Sequence, residues 1–328
     1  MKSFVAVAVA LFLVTLDAAG GVWAQGKSGP KDYPNRPVRL LVPYAAGGPT
    51  DIMARLVGQK LGERWGQNVV IDNRAGASGN IGTGLVMRTN PDGYTILVHS
   101  SAYVVNPSLY SNAGYDAVKS FVPIINAGAS PNMLYVHPSF QVHTLKELIA
   151  SARGKQLSYA SPGIGTTPHL TVELLLKTMN KLDLSHVPYN GAAPALGAVL
   201  GGQLQLGCGA MPPIVAPVKA GRLRAIAVTS LQRAPSLPEV PTVAESGFPG
   251  YEDYTWIAFF APAGTPRALV DRLNAEMDRI LRLPEVKERL AVLAFDYTPN
   301  TPQQFAEYVR KEVAKWGKVV KDSGARAD

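Results

Sequence analysis

The chain has 328 residues, 47% of them hydrophobic and 17% charged, with a formal net charge of +8. That composition supports about two globular domains, and it excludes a low-complexity chain, since no tract concentrates the glycines and prolines. Lysines and arginines are scattered, which excludes a nucleic-acid footprint, and the single cysteine, Cys208, excludes an intrachain disulfide or a cysteine-based metal cluster.

Lys2, the apolar run Phe4 to Leu16 and the small-residue site Val22-Trp23-Ala24 read as an export signal, cleaved near Ala24. The apolar run is broken by Asp17 and is too short to span a bilayer. Residues 25–37 follow as a linker. Val38 to Val42 is an apolar strand that breaks at Pro43, passes through a loop with Gly47 and Gly48, and enters a helix at Thr50 or Asp51. Ile52 and Leu56, with Met53, Val57, Leu61 and Trp65, give that helix one apolar face. Asp51 reads as its N-cap. Val69 to Ile71 is a short strand running into the second glycine-rich turn, Asn73 to Asn80, before a helix near 80–88 that Asn90-Pro91-Asp92-Gly93 ends. Tyr94 to Val98 is a strand with His99, Ser100 and Ser101 at its end. Strand and helix alternation of this kind predicts an α/β protein with a parallel, doubly wound sheet.

Phe121 to Ile125 and Met133 to Val136 read as two strands, and Thr144-Leu145-Lys146-Glu147 as a capping box. Leu157 to Ala160 leads into a third small-residue loop, Ser161 to His169, at a helix start. Leu184 to Val187 is followed by Pro188 to Pro194 and a helix reaching Gly201. Leu204 to Cys208 and Leu223 to Thr229 are strands. From Tyr251 onward come a strand at 255–261, an N-cap pair at Thr265-Pro266, and helices starting at Pro284 and at Thr301-Pro302. The sequence also echoes itself: Val42-Pro43-Tyr44 with Pro49 recurs as Val187-Pro188-Tyr189 with Pro194, four matched positions that chance can produce and that also fit two lobes each presenting a loop to one cleft.

Catalytic signatures fail one by one. Gly21 to Ser28 matches a P-loop only across the export site. Gly163-Ile164-Gly165 lacks the third glycine of a dinucleotide fingerprint, and Gly76 to Asn80 is not a nucleophile elbow. The five histidines show no metal spacing, so no cofactor or metal is expected. What remains is a set of loops that each end a strand and start a helix, where ligands of open α/β sheets collect. They offer backbone N–H groups at Ala45, Gly47, Gly48, Ala77, Gly163, Gly165 and Gly191. They add the hydroxyls of Thr50, Ser78, Ser100, Ser101, Ser161, Thr166 and Thr167, the aromatic walls Tyr44 and Tyr189, and His169 in a first helical turn. Such a site suits a carboxylate held by neutral hydrogen bonds. The rival reading is an exported hydrolase using Ser78 or Ser161 with His169, for which no acid behind the histidine is marked. A third is a ligand-dependent sensor docking to a membrane receptor.

The segments Tyr33 to Arg39, Val42 to Asp51, Asn73 to Ala77, Asn90 to Thr95, Val187-Pro188-Tyr189, Leu200 to Gln203, Pro241 to Glu245 and Ala261 to Pro266 together resemble the Bug family, the TctC-like binding proteins of tripartite tricarboxylate transporters. The resemblance implies a type II periplasmic-binding-protein fold, with two doubly wound α/β lobes joined by two crossing hinge strands. On this chain it implies a signal peptide at 1–24, lobe 1 at 25–126 and 252–328, and lobe 2 at 127–251. It implies a small carboxylate between the lobes, gripped by the loops Tyr44–Thr50 and Ser161–His169. It also implies membrane permease subunits as partners, a periplasmic location, a monomer and no catalysis. The family commonly has aspartates after Gly-Gly-Gln-Val, where this chain reads Gly201-Gly202-Gln203-Leu204-Gln205-Leu206-Gly207-Cys208-Gly209-Ala210-Met211. That departure argues against amino acids as ligands, with Cys208 and Met211 expected as a softer wall.

Overall fold

In the computed structural model, residues 33–323 and 326–327 are described; the expected signal segment lies outside them. The first strands form in the expected order: β1 (Val38–Val42), α1 (Pro49–Trp65), β2 (Val69–Asn73), α2 (Asn80–Met87) and β3 (Thr95–Ser100). Strand β1 pairs in parallel with both β2 and β3. A helix not anticipated from the sequence, α3 (Ala102–Leu109), follows directly and carries Pro107 inside it. A second parallel trio is built from β5 (Leu157–Ser161), β6 (Leu184–Pro188) and β7 (Leu206–Ala210), with β5 in the middle.

The two trios are joined through β4 (Phe121–Val136) and β9 (Tyr254–Pro262), and the continuous order is β2-β1-β3-β9-β4-β7-β5-β6, with β8 (Arg224–Val228) also on β4. The parallel expectation therefore holds within each trio, while β4 and β9 run antiparallel to each other and to their neighbours. Phe121 to Ile125 and Met133 to Val136, read as two strands, are the ends of one β4, although Pro123 and Pro131 cannot donate to a ladder. It is one strand of 16 residues. Register shifts between Pro123 and Ile125 and between Asn126 and Gly128 absorb the misfit.

Alternation along β4 builds two cores in the second half. Met133 and Tyr135 pack with Ala160, Met211 and Val228, while Leu134 and Val136 face the opposite side with Tyr159, Leu206 and Cys208. The first half buries Leu41, Leu97, Tyr103, Trp256 and Phe260 against Phe305, Val309 and Trp316. Those last three lie on α10 (Pro302–Ser323), at the spacing its sequence predicted. The remaining helices are α4 (Leu145–Ala152), α5 (Thr167–Val172, continuing as a π turn through Thr178), α6 (Ala192–Leu200), α7 (Val215–Lys219), α8 (Arg267–Leu281) and α9 (Pro284–Val292). The capping box forms as read: Thr144 Oγ1 accepts from Glu147 N–H and Glu147 Oε2 from His143 N–H. At α8 the cap is Pro266, one residue later than expected, because the Thr265 hydroxyl turns back to Pro262 O. No helix among the described residues is long and apolar enough to cross a membrane.

Candidate functional site

Four strand ends converge on one cavity with an empty volume of about 390 Å³. From the first half it is lined by Tyr44, Gly48, Pro49, Thr50 and Ser100, and from the second by Pro162, Thr166, Thr167, Pro168, Ala192 and Ala210; Thr255 on β9 completes it. Three helices begin at this wall. The first helical hydrogen bonds are Ile52 N–H to Gly48 O, Leu170 N–H to Thr166 O and Ala195 N–H to Gly191 O. The N–H groups of Thr50, Asp51, Thr167, His169, Ala192 and Ala193 therefore precede their ladders and have no intrahelical acceptor. Each helix end adds partial positive charge. None of the lining side chains is charged. The wall is thus electropositive through its backbone and neutral in its side chains, an arrangement that holds an anion through hydrogen bonds.

Local chemistry explains the shape of the first loop. Gly47 has φ +85°, a left-handed conformation that glycine adopts without strain. Its N–H donates to Asp51 Oδ2 at 2.9 Å, which also takes Arg55 Nε at 2.9 Å, while Asp51 Oδ1 takes Asn73 Nδ2 at 3.0 Å. Asp51 is therefore not the N-cap, a position Gly48 occupies. It lies inside the helix and clamps the loop from below. Desolvation pushes its carboxyl up, but the bonds from Arg55, Gly47 and Asn73 outweigh this and hold it below the usual carboxylate value. Asn73 Nδ2 also reaches Tyr44 O at 3.1 Å. Tyr44 Oη sits 2.9 Å from Ser100 Oγ, and His99 Nδ1 donates to Ser100 O at 2.9 Å. His99 is fully buried, its Nε2 has no partner among the described residues, and burial lowers its pKa to about 4.

The two halves touch directly around the cavity. Ala45 N–H donates to Asn190 O at 2.9 Å. A Cβ built on Gly191 would stand 3.0 Å from Ala45 N, and one on Gly163 would stand 2.7 Å from Ser78 Oγ. Gly165 faces Asn106 and Leu109 just as closely. Ala77 and Ser78 hold positive φ of 45° and 50°. Ser78 O accepts from both Tyr44 Oη and Asn106 Nδ2, so this strained turn is anchored at its carbonyl.

The expected residues separate into groups. Tyr44, Gly48, Thr50, Ser100, Thr166 and Thr167 line the cavity. Ala45, Ser78, Gly163, Gly165 and Gly191 form contacts between the halves. Ser101 lies behind the wall, 3.3 Å from Thr167 Oγ1. Tyr189 packs against the core that holds Met211. Met211 and Cys208 are both buried in core clusters, so neither sulfur lines the cavity, and the wall at that strand end is Ala210. Lining residues not singled out from sequence are Pro49, Pro162, Pro168, Ala192, Ala210 and Thr255. The prolines and Ala192 stood in loops already noted, whereas nothing near Thr255 in the chain marks it.

The serine–histidine pairing also differs from the expected one. Ser161 Oγ lies 2.6 Å from His186 Nε2, not against His169. His169 stacks on His186 with ring centroids 4.1 Å apart, and its Nδ1 accepts Gly165 N–H at 3.2 Å. Glu173 Oε1 is 3.7 Å from His169 Nε2 and is engaged by Tyr159 Oη and Lys177 Nζ. Ser161 is fully buried and its Oγ is bonded within its own loop to Gly163. Desolvation, with His169 beside it, lowers the pKa of His186 to about 3. Among the described residues no group of three or more histidine, cysteine or acidic side chains could hold a metal ion.

This arrangement has close counterparts. The family model described as tripartite tricarboxylate transporter family receptor matches residues 53–325. A protein encoded between tcbD and tcbE of Pseudomonas sp. strain P51 is 39% identical over 291 residues, 88% of this chain and 86% of that one. The periplasmic binding protein BugD superposes with a TM-score of 0.86 at 36% identity, covering 90% of this chain and 99% of that chain. The R. palustris protein Rpa4515, solved with adipate, has a TM-score of 0.86 at 38% identity over 89% of this chain and 99% of that chain. A family match across most of the chain, together with close superposition on BugD, leads to one conclusion: the chain belongs to the tripartite tricarboxylate transporter receptor family, the TctC-like Bug proteins.

Proposed function

We propose that this protein captures a small carboxylated solute in the cavity between its halves and presents the closed form to the membrane permease subunits of a tripartite tricarboxylate transporter. The observation that carries this reading is the meeting of three helix N-termini at a wall without charged side chains. Backbone N–H groups from both halves then hold one carboxylate, so binding favours closure because only the closed form supplies both sets. That Rpa4515 was solved with adipate supports an organic acid as ligand. Residues 25–126 with 252–328 form the first moving lobe and 127–251 the second, bending where β4 and β9 cross. The protein acts in the periplasm as a monomer after removal of residues 1–24, and it turns over no substrate. Burial of Ser161 beneath its own loop supports binding without hydrolysis.

Native mass spectrometry of freshly purified protein, followed by a thermal-shift screen over mono-, di- and tricarboxylates, tests this. A true ligand at a hundredfold excess over its Kd adds about 2.7 kcal/mol of stability. Absence of any carboxylate that raises the melting temperature overturns the reading.

A further inference from the structure

At the cavity floor, where β9 begins and α5 starts, the hydrogen-bond directions from Asn132 to Thr167 follow from chemistry, while the Thr171 hydroxyl has both Asp253 Oδ2 and Thr167 O in reach. Asp253 lies where the chain returns to the first half. Its Oδ2 receives Asn132 Nδ2 at 2.9 Å and Thr171 Oγ1 at 2.7 Å. At pH 8, above the value of about 7 to which burial raises Asp253, the ionised carboxylate only accepts, so the Asn132 amide turns its NH2 toward Asp253 and its Oδ1 to the other side. There Oδ1 takes the hydroxyl hydrogen of Thr255 at 2.7 Å. With that hydrogen spent, Thr255 Oγ1 can only accept, so Thr167 Oγ1, 2.5 Å away, is the donor of their pair. Thr167 has then spent its own hydrogen, and Ser101, 3.3 Å from it, donates in turn. Thr166 likewise spends its hydrogen on Gly163 O at 2.7 Å.

Thr166, Thr167 and Thr255 all line the cavity, and with their hydrogens spent their hydroxyls offer only lone pairs. A second carboxylate or a carbonyl placed against these hydroxyls would meet lone pairs with lone pairs. A ligand hydroxyl would be bonded. An ammonium would also donate, but no carboxylate lines the wall to balance its charge.

We infer that Asp253, acting through Asn132, fixes the floor of the cavity as a hydrogen-bond acceptor, and that the bound solute is a hydroxycarboxylate whose hydroxyl donates to Thr255 or Thr167. This rests on the carboxylate-binding reading above. Asp253 and Asn132 are positioning residues, and Thr255 is the specificity-determining contact. A site built to bond a hydroxyl discriminates strongly against the analogue that lacks it, because its own polar group is left unpaired.

The test uses matched pairs of acids at pH 8: lactate and propionate, 3-hydroxybutyrate and butyrate, malate and succinate, mandelate and phenylacetate. Calorimetry on the full mature chain is expected to give at least tenfold tighter binding for the hydroxy member of every pair that binds. Thr255→Val keeps the side-chain volume and should bring the ratio close to one, while Thr255→Ser keeps the preference. Asp253→Leu, which removes the acceptor that orients Asn132, should also lower the ratio and serves if Thr255→Val does not fold. A deoxy acid bound as tightly as its hydroxy partner overturns the inference alone, as does a ratio unchanged in both Thr255→Val and Asp253→Leu. Failure of every acid to bind overturns the carboxylate reading and the inference with it.

Discussion

Ala45 donates its backbone N–H to the carbonyl of Asn190 between the two halves, at 2.9 Å. Each residue directly follows the tyrosine of a Val-Pro-Tyr segment, Tyr44 in one case and Tyr189 in the other. The two echoed loops therefore meet each other. Because donor and acceptor are both backbone atoms, the contact depends on how closely the chains approach.

Gly191 sets that approach. It has φ +133°, and a Cβ there would reach Ala45 N at 3.0 Å. Gly191→Val should hold the halves apart and weaken ligand binding by at least tenfold, with far-ultraviolet circular dichroism unchanged. Small-angle scattering with saturating ligand should show no contraction. Wild-type affinity in this variant would show that the loop contact contributes nothing to capture.

Asp51→Ala removes the acceptor shared by Gly47, Arg55 and Asn73. Hydrogen bonds to a charged group are worth roughly 1.5–3 kcal/mol each, and those from the exposed Arg55 side chain count for less. We expect a loss of about 2 kcal/mol in urea unfolding and a larger proportional loss of affinity, since Gly47 and Gly48 would no longer be held. Asp51→Asn should recover part of the stability.

Stability should fall on acidification. Desolvation lowers the pKa of His99 and of His169 from 6.5 to about 4, and that of His186 to about 3. A group whose folded pKa is depressed supplies stability that is present above its unfolded value and lost as pH falls toward the folded value. The window is therefore pH 6.5 down to about 4. For fully buried His99 the loss is on the order of 3 kcal/mol. Asp253 opposes this. Desolvation raises it from 3.8 to about 7, against the bonds from Thr171, Asn132 and Tyr254 N–H. Its contribution is thus complete below 3.8 and lost as pH rises through 7. Three histidines outweigh one aspartate, so the urea midpoint should be lower at pH 5 than at pH 7. His99→Gln should flatten that slope, and an equal midpoint at the two pH values would contradict the assignment.

Phe305 on α10 is buried among Trp256, Phe260 and Val309 on the far side of β9 from the floor hydroxyls. Phe305→Ala should cost about 3–5 kcal/mol, the range for a buried aromatic truncated to alanine. The preference between hydroxy and deoxy acids should be unchanged, as measured by calorimetry below the variant's melting temperature.

What was legible in the amino-acid sequence is what short-range physics governs. The run Val38 to Val42, the left-handed turn at Gly47 and the helix start after it follow from side-chain period and backbone sterics over a few residues. The same holds for the Thr144–Glu147 capping box and the buried stripe of α10. The matched loops after Tyr44 and Tyr189 were visible as a repeated string, and six of the expected residues do line the cavity. Tertiary structure alone decided what depends on register between distant strands. Strands read separately at 121–125 and 133–136 are one β4, because pairing with β9, with two register shifts, carries the strand through. Asp51 looked like a cap because caps are local; its real partners include Asn73, 22 positions away. Ser161 found His186 rather than His169 because parallel pairing of β5 with β6 sets Ser161 opposite Pro188 and brings His186 to the neighbouring strand. The floor relay is the extreme case. Asn132 and Asp253 are 121 residues apart, and Thr167 and Thr255 are 88 apart. Nothing in either neighbourhood marks them, since a hydrogen-bond direction exists only once the donors and acceptors have been brought together.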